Sequence, residues 1–324
     1  MSIEINRNIP LGRWEHFLRS FREKVVEASA AFPTVRCWTR HNLEKVIVSV
    51  IKAHKADLVM STFFTATEVI HQLQEIGWLS AIAVDSPRYS DSPPELFLLD
   101  MEAREGDAID PLEVLQGYKP QGVLCYFGVL GHLGLTTQVA PYFHVAYIDR
   151  SPLPIFRSIA KAPEKIDEVS PGRNPLGREA FHFEGAPCYV TKRNIALTPG
   201  VQTRIIGPRT MLRMTTLEQA LLDALGYPLH CGGESVVFEV WERGATLWNQ
   251  DRLADYLLKI NRPEVDRRVG AMTDVLQIKV DSKKLRDRLD GTKAQMKTSQ
   301  DGDVALLPGF TYPNVNADWK VCVP

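Results

Sequence analysis

The 324-residue sequence has no CxxC pair, no long apolar run and no excess of charge of either sign. Its five cysteines, Cys37, Cys125, Cys188, Cys231 and Cys322, are odd in number and far apart. That excludes a disulfide framework and a zinc-finger spacing and points to a reduced, cytoplasmic protein. The longest apolar runs, Val46 to Ile51 and Gly122 to Leu130, are well short of the ~20 residues a bilayer span needs, so no membrane association is expected. The opening MSIEINRNIPLGRWEHF lacks the apolar stretch and cleavage site of a secretory signal. Thirty-eight Lys and Arg against 39 Asp and Glu leave a formal net charge of -1. Any affinity for nucleic acid must therefore come from a local basic face. GxSxG, HExxH, GxGxxG and GxxxxGKS/T are also missing, and the eight histidines include no close pair at metal-ligand spacing. Neither a metal nor a cofactor is expected.

What is present is a globular composition, 44% hydrophobic and 24% charged, in a chain long enough for two or three domains. Trp14, Phe17, Leu18, Phe21, Val25 and Ala28 recur at helical spacing and predict a helix over 13–32 that Pro33 closes. Leu43, Val46, Ile47, Val50 and Ile51 form the face of a second helix, with capping residues at Thr39 to Asn42. The stretch ADLVMSTFFTATEVIHQLQEIGWLSAIAV reads as helix, turn, helix, strand. Thr65 and Glu68 have capping-box spacing, Val69, Leu73 and Ile76 face inward, and Gly77 ends the helix. Leu79 to Val84 and Glu95 to Leu99 flank the turn-rich SPRYSDSPP as a hairpin. Three helices and a hairpin are the order of a winged helix-turn-helix.

On that reading Thr65, Thr67, His71 and Gln72 face bases, while Arg40, Lys45 and the tip residue Arg88 hold phosphates. The proposed recognition helix carries two glutamates and no Lys or Arg. Composition therefore leaves DNA binding and a protein-interaction module both open.

Acidic MEAREGDAIDP reads as a linker. Beyond it we expect a helix over 122–133 capped by Gly134, strands over 143–148, 181–184, 188–191 and 201–206, and a long excursion over 151–180. A capping box at Thr215 and Glu218 opens a helical end, followed by helices over 233–243, 249–260 and 263–276, a polar helix, and a terminal edge strand through Trp319, Val321 and Val323. The fold class is α+β: an N-terminal helical extension (1–40), a winged helix-turn-helix domain (41–105) and a larger mixed α/β C-terminal domain with a helical end (112–324). His182 and Glu184, on one face of a short strand, are the candidate base and partner of an enzyme. An exposed polar hairpin face explains them as well. Cys231 beside Gly232 is a candidate low-pKa thiol, or a small residue packed at a helix entry.

Four patterns occur in order over roughly 120–324: His132, Gly134 and Leu135; Glu218, Leu221, Leu222, Asp223, Pro228, Gly232 and Gly233; Arg267, Arg268 and Gly270; Trp319 and Val323. In this the chain resembles the AbiEi-type antitoxins of type IV toxin-antitoxin (abortive infection) systems of phage defence. The resemblance implies a transcriptional regulator that binds double-stranded operator DNA and represses its own operon. Its C-terminal domain would counteract a cognate nucleotidyltransferase-type toxin. It also implies that the chain is not an enzyme. Arg267 and Arg268 become candidates for a toxin or DNA surface, the alternative being an ordinary solvated helix face. A stand-alone regulator or interaction scaffold without a toxin partner is the other reading.

Overall fold

The stripe Trp14, Phe17, Phe21 and Val25 lies buried along one side of helix α1 (Leu11–Ala31) in a computed structural model that describes residues 11–31, 36–53, 65–87, 92–100, 108–151, 176–207 and 210–324. Each such side chain taken fully out of water contributes about 1.5–3 kcal/mol. The chain divides into two units: residues 1–121 with 181–185 and 204–212, and residues 122–180, 186–203 and 213–324.

In the first unit, helix α2 (Arg40–Ala53) buries Leu43, Ile47 and Val50, and helix α3 (Ala66–Glu75) buries Val69, Ile70 and Leu73. These meet the α1 stripe, Trp38, Leu79, Phe97 and Leu99 in one core. Residues 11–31 are thus part of that core and not an extension from it. The helix read ahead of Thr65, within 57–64, lies outside the described residues.

Strands β1 (Cys37–Thr39), β2 (Leu79–Ile82) and β3 (Leu96–Leu99) form an antiparallel sheet ordered β1-β3-β2, with Phe97 opposite both Trp38 and Ala81. The expected hairpin is β2 and β3. The strand β1, three residues long, is too short to show a period. Helix α4 (Pro111–Tyr118) starts at Asp110, whose carboxylate accepts from Leu112 N at 2.7 Å. A Cβ on Gly117 would fall 2.4 Å from Cys37 O, so only glycine allows α4 to lie this close to β1. The first unit therefore runs past Leu112, where the sequence places the start of the C-terminal domain.

A six-stranded mixed sheet is built from β4 (Val123–Cys125), β5 (Phe143–Asp149), β6 (Arg178–Phe183), β7 (Ala186–Asn194), β8 (Val201–Gly207) and β9 (Thr210–Thr215), ordered β6-β7-β5-β4-β9-β8. β5 runs parallel to β7 from Phe143↔Cys188 to Asp149↔Asn194, and β4 runs antiparallel to β5 and parallel to β9. The helix expected over 122–133 is a correction. Val123, Leu124 and Cys125 are a strand buried on both faces, Tyr126 turns the chain at φ 62, and a short helix α5 (Phe127–His132) follows. An apolar run buried on all sides has the same signature in either conformation. Gly134 does adopt the left-handed cap, at φ 73, and Leu135 is buried.

The helical end comprises α6 (Leu217–Gly226), α7 (Glu234–Gly244), α8 (Gln250–Ile260), α9 (Pro263–Val275) and α10 (Lys283–Thr298). The cap of α6 is Thr216, which accepts from Gln219 N, and not Thr215. Glu218 instead accepts from Asn249 N at 2.9 Å and pairs with Arg252. Strands β10 (Val304–Ala305), β11 (Asn314–Asn316) and β12 (Val321–Val323) close the unit in the order β10-β12-β11. The terminal strand is therefore central, not the edge its alternation suggested. The architecture is mixed α+β, and no helix among the described residues is long and apolar enough to cross a membrane.

Candidate functional site

Helix α3 is positioned from both ends. At its start Thr65 Oγ1 accepts from Glu68 N at 3.2 Å, and Glu68 accepts from Thr65 N at 2.7 Å and from the Thr65 hydroxyl at 3.0 Å. This is the capping box that the spacing predicts, and the two Thr65 donors hold the Glu68 carboxyl below its usual range. At its end Gly77 turns at φ 75 and Trp78 N returns to Leu73 O. With Val69, Ile70 and Leu73 in the core, Thr67, Glu68, His71, Gln74 and Glu75 are exposed and Gln72 is half-buried.

Between α3 and the β2–β3 hairpin lies an open groove of about 480 Å³. Ile70, Ile82, Pro93, Pro94 and Phe97 line it with apolar surface, and Arg40, Thr67, His71, Gln74 and Glu95 supply its polar groups. The structure thus brings Arg40, Thr67 and His71 together on one groove and leaves Thr65 at its cap. Lys45 is exposed on α2. Arg88 lies outside the described residues.

The charges are not those of a simple basic face. Arg40 Nη1 bonds Glu95 at 2.7 Å, its Nε bonds Glu44 at 2.9 Å, and its Nη2 donates to Thr67 Oγ1 at 3.2 Å. Glu75 accepts from Gln72 Nε2 at 2.7 Å and lies 3.3 Å from His71 Nδ1. Sequence reasoning missed these partners. The i to i+4 spacings Arg40/Glu44 and His71/Glu75 were visible in the sequence. The Arg40–Glu95 contact, across 55 residues, depends on the sheet.

Arg267 and Arg268 are not a surface, and that expectation is corrected. They are 4% and 8% exposed. Arg267 donates to the carbonyls of Trp319, Gly302 and Lys320, and Arg268 to that of Ala305. The guanidinium groups satisfy the backbone of the C-terminal loops, because buried carbonyls without a donor are costly.

The second unit also holds a buried polar and aromatic cluster. Arg193 and Asp223 form a bidentate pair, Gln219 donates to Asp223 at 2.8 Å, and the guanidinium lies 5.3 and 5.7 Å from the rings of Tyr126 and Tyr227. His144 is fully buried, stacks on Tyr189 and bonds Leu176 O through Nε2 at 3.0 Å. Its Nδ1 has no hydrogen-bond partner among the described residues. Burial, with His230 beside it, pushes the His144 pKa down to about 3, so the ring is neutral. Burial raises the thiol of Cys125 to about 12 and that of Cys231 well above its ordinary range. Cys231 is therefore a packed thiol, not an activated one.

His182 is half-buried and pairs through its backbone with Asp85, while Glu184 is exposed in a turn at φ 50. No group of three or more His, Cys, Asp or Glu among the described residues is arranged to hold a metal.

No protein-family model matches the chain, and no curated protein matches it. Among solved structures it is similar to the RV2827C protein from Mycobacterium tuberculosis, at 14% identity over 97% of this chain and 92% of that one, with a TM-score of 0.49.

Proposed function

We propose that the chain is a cytoplasmic DNA-binding transcriptional regulator and antitoxin, with its first unit serving as a winged helix-turn-helix. The observation that carries this reading is the presentation of α3. Its apolar side is committed to the core, its polar edge at Thr67 and His71 faces outward with half-buried Gln72 beside them, and a β-hairpin stands beside it across an open groove. A short helix offering amide, hydroxyl and imidazole groups next to a strand-turn-strand suits major-groove readout with backbone contacts alongside. Lys45 and Arg40 supply phosphate contacts. The antitoxin role, repression of the chain's own operon and opposition to a nucleotidyltransferase-type toxin rest on the sequence resemblance over 120–324.

Gel retardation on the intergenic DNA upstream of the gene tests the reading. Binding is expected at low salt, weakening as salt rises with a log-log slope of about 0.9 per phosphate contacted. Absence of binding at low salt removes it. A nucleotidyltransferase in the adjacent reading frame supports the antitoxin role, and its absence leaves a stand-alone regulator.

One observation favours a second reading, a protein-interaction module. Glu95 lines the groove, Glu44 and Glu75 pair with its Arg40 and His71, and much of its lining is apolar. Association with a protein partner in the absence of any DNA binding would select it.

A further inference from the structure

Arg40 is the cation that both the groove and the sequence single out, yet all its visible contacts are already made within the first unit. Its guanidinium reaches Glu44 on its own helix, Glu95 at the start of the hairpin's second strand and Thr67 in the first turn of α3. The side chains of Arg40, Glu44 and Glu95 are 36%, 35% and 57% exposed. Ion pairs this open to water are weak and exchange readily. A guanidinium binds phosphate in the same forked geometry as carboxylate.

We infer that Glu95 is a competitor for Arg40, holding its guanidinium until a DNA phosphate takes the carboxylate's place. The inference rests on the DNA-binding reading above and deepens it. Because Nη2 of the same guanidinium holds Thr67 Oγ1, moving Arg40 onto a phosphate also releases that hydroxyl toward the groove. Engagement of the backbone is thereby coupled to freeing a side chain placed to read a base. Glu95 lowers the number of phosphates the protein neutralises on an arbitrary duplex, so less of its affinity is independent of sequence. Glu44 plays the same part from the Nε side, and its i to i+4 tether keeps the side chain near Arg40 after the exchange.

The test uses the full chain with two labelled duplexes, the upstream intergenic sequence and a scrambled one, titrated across about 50 to 200 mM salt. The proteins are the wild type, E95Q, R40A and R40A/E95Q, with E44Q as a second carboxylate variant and circular dichroism as the check on folding. E95Q is expected to bind the scrambled duplex more tightly and to steepen the log-log salt slope by about 0.9, one additional phosphate. The double variant is expected to lose that gain. An unchanged slope in E95Q, or a gain that survives in R40A/E95Q, overturns the inference, the latter because general removal of negative charge then explains the effect. Failure of the wild type and E95Q alike to bind either duplex overturns the DNA reading and this inference with it. A wild type whose slope on the scrambled duplex equals that of E95Q overturns the inference alone; on the upstream duplex, where the phosphate has displaced Glu95, the two slopes are expected to agree.

Discussion

Arg193 on β7 and Asp223 on α6 meet fork to carboxylate, the two residues 5% and 2% exposed, with the guanidinium over the neighbouring rings of Tyr126 and Tyr227. Charges withdrawn this far from water are tolerable only as a pair, and Gln219 satisfies one carboxylate oxygen further.

Asp223→Ala should accordingly destabilise the second unit by about 3–5 kcal/mol, since it strands the Arg193 charge. The double replacement Arg193→Met with Asp223→Leu should cost much less. Urea unfolding of the three proteins checks this, and a double variant as unstable as the single one would show that the pair itself, not the uncompensated charge, sets the loss.

Stability should fall on acidification through His144. Its folded pKa, about 3, lies below the ordinary 6.5, so above 6.5 both states are neutral and its contribution is complete. Below 6.5 the unfolded chain takes up the proton first, and stability declines by up to about 1.4 kcal/mol per pH unit until pH 3. Asp266, raised by burial to about 6, acts in the opposite sense between 3.8 and 6. The measurement is therefore the difference between wild type and His144→Phe from pH 7 to 4. That difference should shrink as the pH drops.

Thr65→Ala removes the hydroxyl that caps α3 and one donor to Glu68, at a cost of about 1 kcal/mol. Hydrogen exchange should quicken in the first turn of α3 and leave α8 unchanged. Thr65→Ser should retain most of the protection.

A Cβ on Gly270 would come within 2.4 Å of the Trp319 ring, which is itself held by a 2.6 Å bond from Nε1 to Asp274. Gly270→Ala should then cost about 1–3 kcal/mol, as overpacking does. Arg267→Lys, which cannot span the three carbonyls that the guanidinium reaches, should destabilise the same region. A thermal melt that is unchanged for both variants would contradict this account of the C-terminal loops.

The helices were legible where one face is buried and the other wet. α1, α2, α3 and α8 follow their apolar stripes closely, and the Thr65–Glu68 box was readable because both halves are local. Two kinds of feature were not. Val123 to Cys125 is buried all round, so no alternation marks it as strand. Arg267 and Arg268 look like a basic surface until Trp319, Gly302 and Lys320 turn their carbonyls inward. The groove's polar lining was partly visible in Thr67 and His71. The neutralisation of Arg40 by Glu95 was not, since the two residues become neighbours only through β3.

Local sequence by itself determined the amphipathic helices, their caps and the α+β character, because each depends on residues a few positions apart. The tertiary structure alone decided which charges are spent. Arg40, Arg193, Arg267 and Arg268 are all cations in the sequence, but their carboxylate, ring and carbonyl partners come mostly from distant strands and loops. An ionised side chain's role is set by what surrounds it in space, which chain order does not encode locally.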